Sequence, residues 1–227
     1  MEGATLTAIR TGAASGAATD LLARKDSKTV GLFGSGVQAR TQLEAVCTVR
    51  AIDRVYIFSL DTAGARDFIE ELAGVGPIPA DLQIVDTPAE AVENADIICT
   101  ATTSTDPVFA AEALKPGTHI NAVGAFTPQM QEIGSDVVKL ASVFVDSRSA
   151  ALDEAGDLII PLNAGIISED HIRAELGQVV LGQVQGRKDD GEVTLFKSVG
   201  VAVQDAVAAS LALRGAQKQD LGTQIDF

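Results

Sequence analysis

Apolar positions along the 227-residue chain change period repeatedly, and the changes mark out elements. Residues 29–33 form a compact apolar run with glycine at its middle and at its exit, the pattern of a strand covered on both faces. Over residues 38–48, Ala39, Leu43, Val46 and Cys47 recur at helical spacing. A second apolar run at 55–59 precedes a helical stretch at 62–73, where Ala65, Phe68, Ile69 and Leu72 share a face. The segment 74–79, rich in glycine and proline, breaks that helix before a short strand at 82–85. Thr87-Pro88-Ala89-Glu90 reads as a helix start, with a threonine cap and a proline pre-set for the first turn. Further strands are expected at 96–101, 119–123 and 143–146.

Alternating strands and helices in this order predict an α/β fold, a doubly wound, mainly parallel sheet with helices on both faces and strand order 3-2-1-4-5-6. Ligands of such sheets bind at the carboxyl ends of the strands. Beyond residue 147 the character changes. The acidic Asp153, Glu154 and Asp157 read as a solvated turn or helix cap before an apolar run at 158–162. A helix is expected at 169–180, a polar turn at 185–191, a strand at 193–196, a helix at 199–213, and a frayed tail from 216. Residues 7–24 are rich in alanine but interrupted by Gly12 and Gly16, which suggests a helix starting near Gly12 with its body at 13–23. No internal repeat or low-complexity linker divides the chain.

A hydrophobic fraction of 46% against 21% charged residues suits a packed globule. The net charge of −14, from 31 acidic and 17 basic side chains, argues against nucleic acid or an anionic membrane as partner. Cys47 and Cys99 lie in apolar patterns and read as core residues, so neither a metal site nor a disulfide framework is expected. With no signal-like start and no run near the roughly 20 apolar residues of a membrane span, a cytoplasmic location is the simplest expectation.

Gly34-Ser35-Gly36-Val37-Gln38-Ala39 matches the dinucleotide fingerprint GxGxxA, leaving a strand and opening a helix. The first glycine permits the tight exit, the second lets the backbone approach a pyrophosphate, and Ala39 allows close packing of helix on sheet. Amides at the helix start then meet the phosphates. This predicts a Rossmann core that binds NAD or NADP. Ser59 and Asp61, at the end of the second strand, stand near the expected adenosine ribose, where an acidic side chain accepts hydroxyl hydrogen bonds and repels a 2′-phosphate; NAD is therefore preferred. Thr100, Ala101 and Thr102 end the fourth strand, and Val123 and Gly124 the fifth, at the same ligand edge. His119 opens a strand, remote from that edge, and reads as a packing residue; His171 reads as a polar helix position. Lys197 is a candidate for a phosphate contact or for bracing a strand-helix junction.

Four stretches together resemble the ornithine cyclodeaminase/μ-crystallin family: residues 6–16 (LTAIRTGAASG), the loop 34–39 (GSGVQA), 121–128 (NAVGAFTP) and 195–200 (LFKSVG). The likeness runs through essentially the whole chain. It implies an NAD(P)-dependent enzyme acting on a small α-amino or α-imino acid, with relatives among cyclodeaminases, alanine dehydrogenases, ketimine reductases and Δ1-pyrroline-2-carboxylate reductases. It also implies that Arg10 binds the substrate carboxylate through a bidentate guanidinium contact. Phe126 stands where cyclodeaminase-like members carry an aspartate, which places the substrate near Phe126 and argues against ornithine cyclisation.

By the same comparison the chain starts well inside the family pattern. Residues 1–28 are expected to be a helical lead-in and the remnant of a substrate domain, 29–147 the Rossmann core, and 148–227 an extension packing back on it. A homodimer is possible, but the usual dimer domain and a family lysine near the substrate have no counterpart. The resulting expectation is reduction of a cyclic or open α-imino acid such as Δ1-pyrroline-2-carboxylate to proline, with the proton donor unassigned. Alanine dehydrogenase or ornithine cyclodeaminase activity, or NAD(P) binding without catalysis, are the alternatives.

Overall fold

Covered on both sides by helices, the apolar runs become strands whose side chains are buried in both directions. The computed structural model describes residues 2–223. Its strands are β1 (Thr29–Phe33), β2 (Arg54–Phe58), β3 (Leu82–Ile84), β4 (Ile97–Thr100), β5 (His119–Ala122), β6 (Ser142–Val145), β7 (Ile172–Glu175) and β8 (Thr194–Lys197). The helices are α1 (Gly3–Leu22), α2 (Val37–Val49), α3 (Thr62–Leu72), α4 (Pro88–Glu93), α5 (Ser135–Leu140), α6 (Arg148–Glu154), α7 (Gly156–Asn163), α8 (Leu176–Val180) and α9 (Ala202–Lys218). All strands pair in parallel within one sheet of order β3-β2-β1-β4-β5-β8-β6-β7.

The α/β fold with a parallel sheet is as expected, but the sixth place in the order is not. β8 lies between β5 and β6, so the strand at 142–145 is displaced one position outward. All four residues of β8 are buried. A strand is expected at 193–196, but its place between two partners is invisible to periodicity, because the crossover that carries it back into the sheet is a long-range packing choice. Residues 172–175 are likewise a strand inside a segment expected to be helical: Ile172 and Ala174 alternate inward, and Glu175 then caps α8 through a reciprocal bond with Gln178. The apolar run at 158–162 belongs to α7, and α9 continues past the expected fraying point to Lys218.

One face of the sheet packs against α1, α2 and α3. There Val30, Leu32, Val55, Ile57 and Cys99 meet Leu43, Val46 and Phe68, while Leu22 of α1 meets Phe144 and Phe196. The opposite face buries Ile98, Ile120, Val143 and Leu195 under Val92, Val137 and Leu158. Cys47 and Cys99 are both buried, and burial pushes each thiol up to about 12. α1 runs unbroken through Gly12, which differs from the expected start there. The glycine serves a close crossing instead: a Cβ on Gly12 would run into the backbone and side chain of Thr41 on α2. This crossing sets α1 against α2, and the first half of α1 reaches the ligand edge through Thr7, Arg10 and Thr11. No described helix is long and apolar enough to cross a membrane.

Candidate functional site

At the carboxyl edge of β1 the backbone turns sharply. Gly34 has φ +96°, and a Cβ there would stand 2.7 Å from the carbonyl oxygen of Ala101, so this turn is open only to glycine. α2 then begins at Val37 after an N-cap glycine, Gly36, with no side-chain cap and no acidic residue in its first turn. Its leading amides and the positive end of its dipole are left for an anion. Nothing occupies the space where a Gly36 Cβ would stand. A cleft of about 720 Å³ opens above this turn, lined by Gly34, Ser35, Gly36, Ser59, Asp61 and Thr102 among others. The uncapped amides, the bare Gly36 and the size of the cleft all fit a dinucleotide.

Ser35 and Ser59 bring their hydroxyls within 3.2 Å across the mouth of this cleft. Asp61 borders it while capping α3, its carboxylate accepting from Gly64 N at 2.9 Å. Two of the fingerprint residues do not line either cavity described here: Ala39 is fully buried where α2 meets the sheet, and Val37 is exposed on the outer side of the helix.

A second pocket, of about 360 Å³, adjoins the first and shares Ala101, Thr102 and Thr103 with it. Arg10, Gln38, Val123, Gly124, Phe126 and Glu154 contribute to its lining. Arg10 reaches it from α1 and is fixed from behind. Its Nε donates to Asp205 Oδ1 at 3.1 Å and its Nη1 to Gln204 Oε1 at 3.1 Å, both on α9. The Gln38 amide oxygen is buried without a partner, a polar atom left open to a ligand. Phe126 is 55% exposed and gives the pocket an apolar wall.

Thr100 is placed differently from the expectation of a cofactor contact. It is fully buried, and its hydroxyl donates to Glu132 Oε2 at 2.9 Å. Glu132, which the sequence reading missed, also accepts from Thr102 N at 2.6 Å and Gly124 N at 2.7 Å. Burial raises its carboxyl above the ordinary carboxylate value, an effect opposed by the Lys197 cation. Asp157 is not the solvated residue expected of an acidic turn. It is fully buried, with Oδ1 accepting the amides of Glu132 and Ile133, and Oδ2 lying 2.8 Å from Lys197 Nζ. Asp153 and Glu154 are exposed as expected, though they end α6 rather than forming a turn. Lys197 braces the end of β8 from inside the core and contacts neither cavity.

His119 is buried at the opposite end of the sheet, bonded to Thr194 and Asn121, and burial pushes it down to about 3. It is a packing residue, as its position at the start of a strand implied. His171 bonds the Val138 carbonyl. Among the described residues no group of three metal-ligating side chains converges.

A family model described as the ornithine cyclodeaminase/mu-crystallin family matches residues 1–219. The chain belongs to that family. It is 44% identical to a Δ1-pyrroline-2-carboxylate reductase of Bacillus cereus, over all of this chain and 69% of the relative. An alanine dehydrogenase of Archaeoglobus fulgidus is 36% identical with the same coverage. Among solved structures, the Δ1-pyrroline-2-carboxylate reductase of Thermococcus litoralis in complex with NADH and L-proline superposes with a TM-score of 0.96 at 45% identity, covering 99% of this chain and 69% of that one. Family membership agrees with the resemblance carried by the segments around Arg10, Gly34, Phe126 and Lys197.

Proposed function

We propose that this protein is an oxidoreductase that reduces a small cyclic α-imino acid of the Δ1-pyrroline-2-carboxylate type, with NADH as the hydride source. The observation that carries the reading is the shared wall of the two cavities. Because Ala101, Thr102 and Thr103 border both, a carboxylate held at Arg10 stands beside the inner end of the dinucleotide cleft. The likeness to a reductase whose structure contains NADH and L-proline agrees with this reading.

When bound, the dinucleotide supplies a hydride. The chain's own residues bind and orient. Arg10, with Nε and Nη1 held by Asp205 and Gln204, presents its remaining N–H groups to the substrate carboxylate. Locking the guanidinium in advance removes part of the ordering cost that orientation would otherwise carry. Glu154 is the carboxylate among the described residues lining the pocket, and its charge stabilises a protonated imine nitrogen there. Protonation makes the imine carbon a better hydride acceptor. Phe126 lays an apolar surface beside the ring, where no second amino group is held. The described residues lining the cleft include Asp61 and Asp106 but no lysine or arginine, which favours NADH over a cofactor bearing a 2′-phosphate.

The test is a turnover panel on this chain with NADH and NADPH, run beside Arg10→Ala. Proline formed from pyrroline-2-carboxylate, and lost in the variant, is the expected result. Alanine from pyruvate and ammonia, proline and ammonia from ornithine, or dinucleotide binding without turnover would each replace the reading. NADPH bound as tightly as NADH would overturn the cofactor assignment.

A further inference from the structure

The ladder between β4 and β5 ends in register at Thr100 and Ala122, with one further backbone bond from Val123 N to Thr100 O at 3.0 Å. Beyond that point the two segments line the Arg10 pocket, and the next amides, Thr102 N and Gly124 N, have no backbone partner. Both donate to a single side chain, Glu132, through separate oxygens at 2.6 and 2.7 Å. The Thr100 hydroxyl adds a third bond at 2.9 Å. A Cβ on Gly124 would run into this carboxylate and into the Thr102 carbonyl, so the approach is open only to glycine.

Glu132 is itself held by charge. Its own amide and that of Ile133 donate to Asp157 Oδ1 at 2.7 and 2.9 Å, and Asp157 pairs with Lys197, the last residue of β8. Glu132, Asp157 and Lys197 are all fully buried. The ends of β4, β5 and β8 are thus tied at one point directly beneath the Arg10 pocket, by groups that line neither cavity.

We propose that Glu132 is a positioning residue for the hydride-transfer end of the site: its carboxylate replaces the missing rung between β4 and β5 and sets the spacing of Thr102 and Gly124. The proposal rests on the functional reading above, in which the nicotinamide end of the dinucleotide lies over these two strand ends and the adenosine end over β1 and β2. It follows that Glu132 governs one end of the cofactor and not the other. A displacement of about 1 Å at the reacting end is enough to cost on the order of a hundredfold in rate.

Glu132→Gln keeps the size and breaks the clamp, because whichever way the amide is turned its NH2 confronts one of the two backbone N–H groups. The affinities of wild type and variant for ADP-ribose, which lacks the nicotinamide, and for NADH are measured by calorimetry, together with kcat/KM for pyrroline-2-carboxylate. The expected result is ADP-ribose affinity within about twofold of wild type, NADH affinity weakened about fivefold or more, and kcat/KM lowered about tenfold or more. Thr100→Val, which removes one donor and leaves the backbone ties, should shift the same ratio in the same direction by less. It decides the matter if the glutamine variant fails to fold. Equal weakening of ADP-ribose and NADH, or no change in their ratio in either variant, overturns the proposal. Wild type that binds ADP-ribose and NADH but turns over no imino acid would overturn the substrate reading alone, since the affinity ratio still tests the role of Glu132.

Discussion

The two halves of the ligand edge are held open by different means. Over β1 and β2 the work is done by backbone: a left-handed Gly34, a bare Gly36 and the uncapped start of α2, all within residues 34–37. Over β4, β5 and β8 it is done by buried charge, with Glu132, Asp157 and Lys197 drawn from three separate segments, and by Arg10 pinned from α9. A pyrophosphate needs only N–H groups and room, which a tight turn supplies locally. A small acid set against a hydride donor needs side chains held at fixed spacing, and only long-range contacts supply that.

The sharpest way to break the contrast is to remove charge from the second half. Lys197→Met leaves Asp157 buried without its cation and should cost about 3–5 kcal/mol of stability, read by chemical denaturation. A loss below about 1 kcal/mol would mean that charge does not hold this half. Next in size, Arg10→Ala should lower kcat/KM by roughly a hundredfold to a thousandfold, equivalent to about 3–4 kcal/mol, while NADH affinity stays near wild type. Arg10→Lys should recover only part of it, since an ammonium cannot make the planar two-point contact. In the first half, Gly36→Val fills the space over the turn and should weaken NADH binding at least about tenfold, roughly 1.4 kcal/mol, with little change in melting temperature. A variant that melts early but binds normally would make that glycine a packing residue.

Glu154→Gln should have a smaller effect, about tenfold or less on kcat/KM, because the group is exposed and its charge is screened by solvent. The smallest effect is expected at the far end of the sheet, where neither half is touched. His119 is held down to about 3, below the ordinary imidazole value near 6.5, by burial and then by the nearby Arg187 cation. Its contribution to stability is therefore complete above about pH 6.5 and is lost as pH falls from there toward 3. Between pH 7.5 and 5.5 the loss should be about 1 kcal/mol in urea titrations, and it should flatten in His119→Gln with ligand binding unchanged at neutral pH.

How much of this was legible in the chain depends on distance along it. The fingerprint Gly34 to Ala39, the strand before it and the helix after it could be read directly, because glycine spacing, apolar runs and helical faces are properties of neighbouring residues. The threonine and proline at the head of α4 and the packing role of His119 were readable for the same reason. The strand at 194–197 was readable too, but its place between β5 and β6 was not, since a fully buried strand of four residues looks the same whether it sits at an edge or between two partners. Asp157 looked like part of an exposed acidic turn with Asp153 and Glu154. Lys197, 40 positions away in sequence, and the amides of Glu132 and Ile133 together make its burial tolerable.

Local covalent geometry and periodicity by themselves determined that the chain folds as an α/β sheet with a phosphate-binding turn, and the motifs around Arg10 and Phe126 pointed to its family. The tertiary structure decided which strand ends meet, that Glu132 serves in place of a backbone rung between two of them, and that Arg10 is held ready by α9. These depend on desolvated charges brought together from distant segments. No pattern among adjacent residues encodes them, because the energy of a buried charge is set by what surrounds it in space.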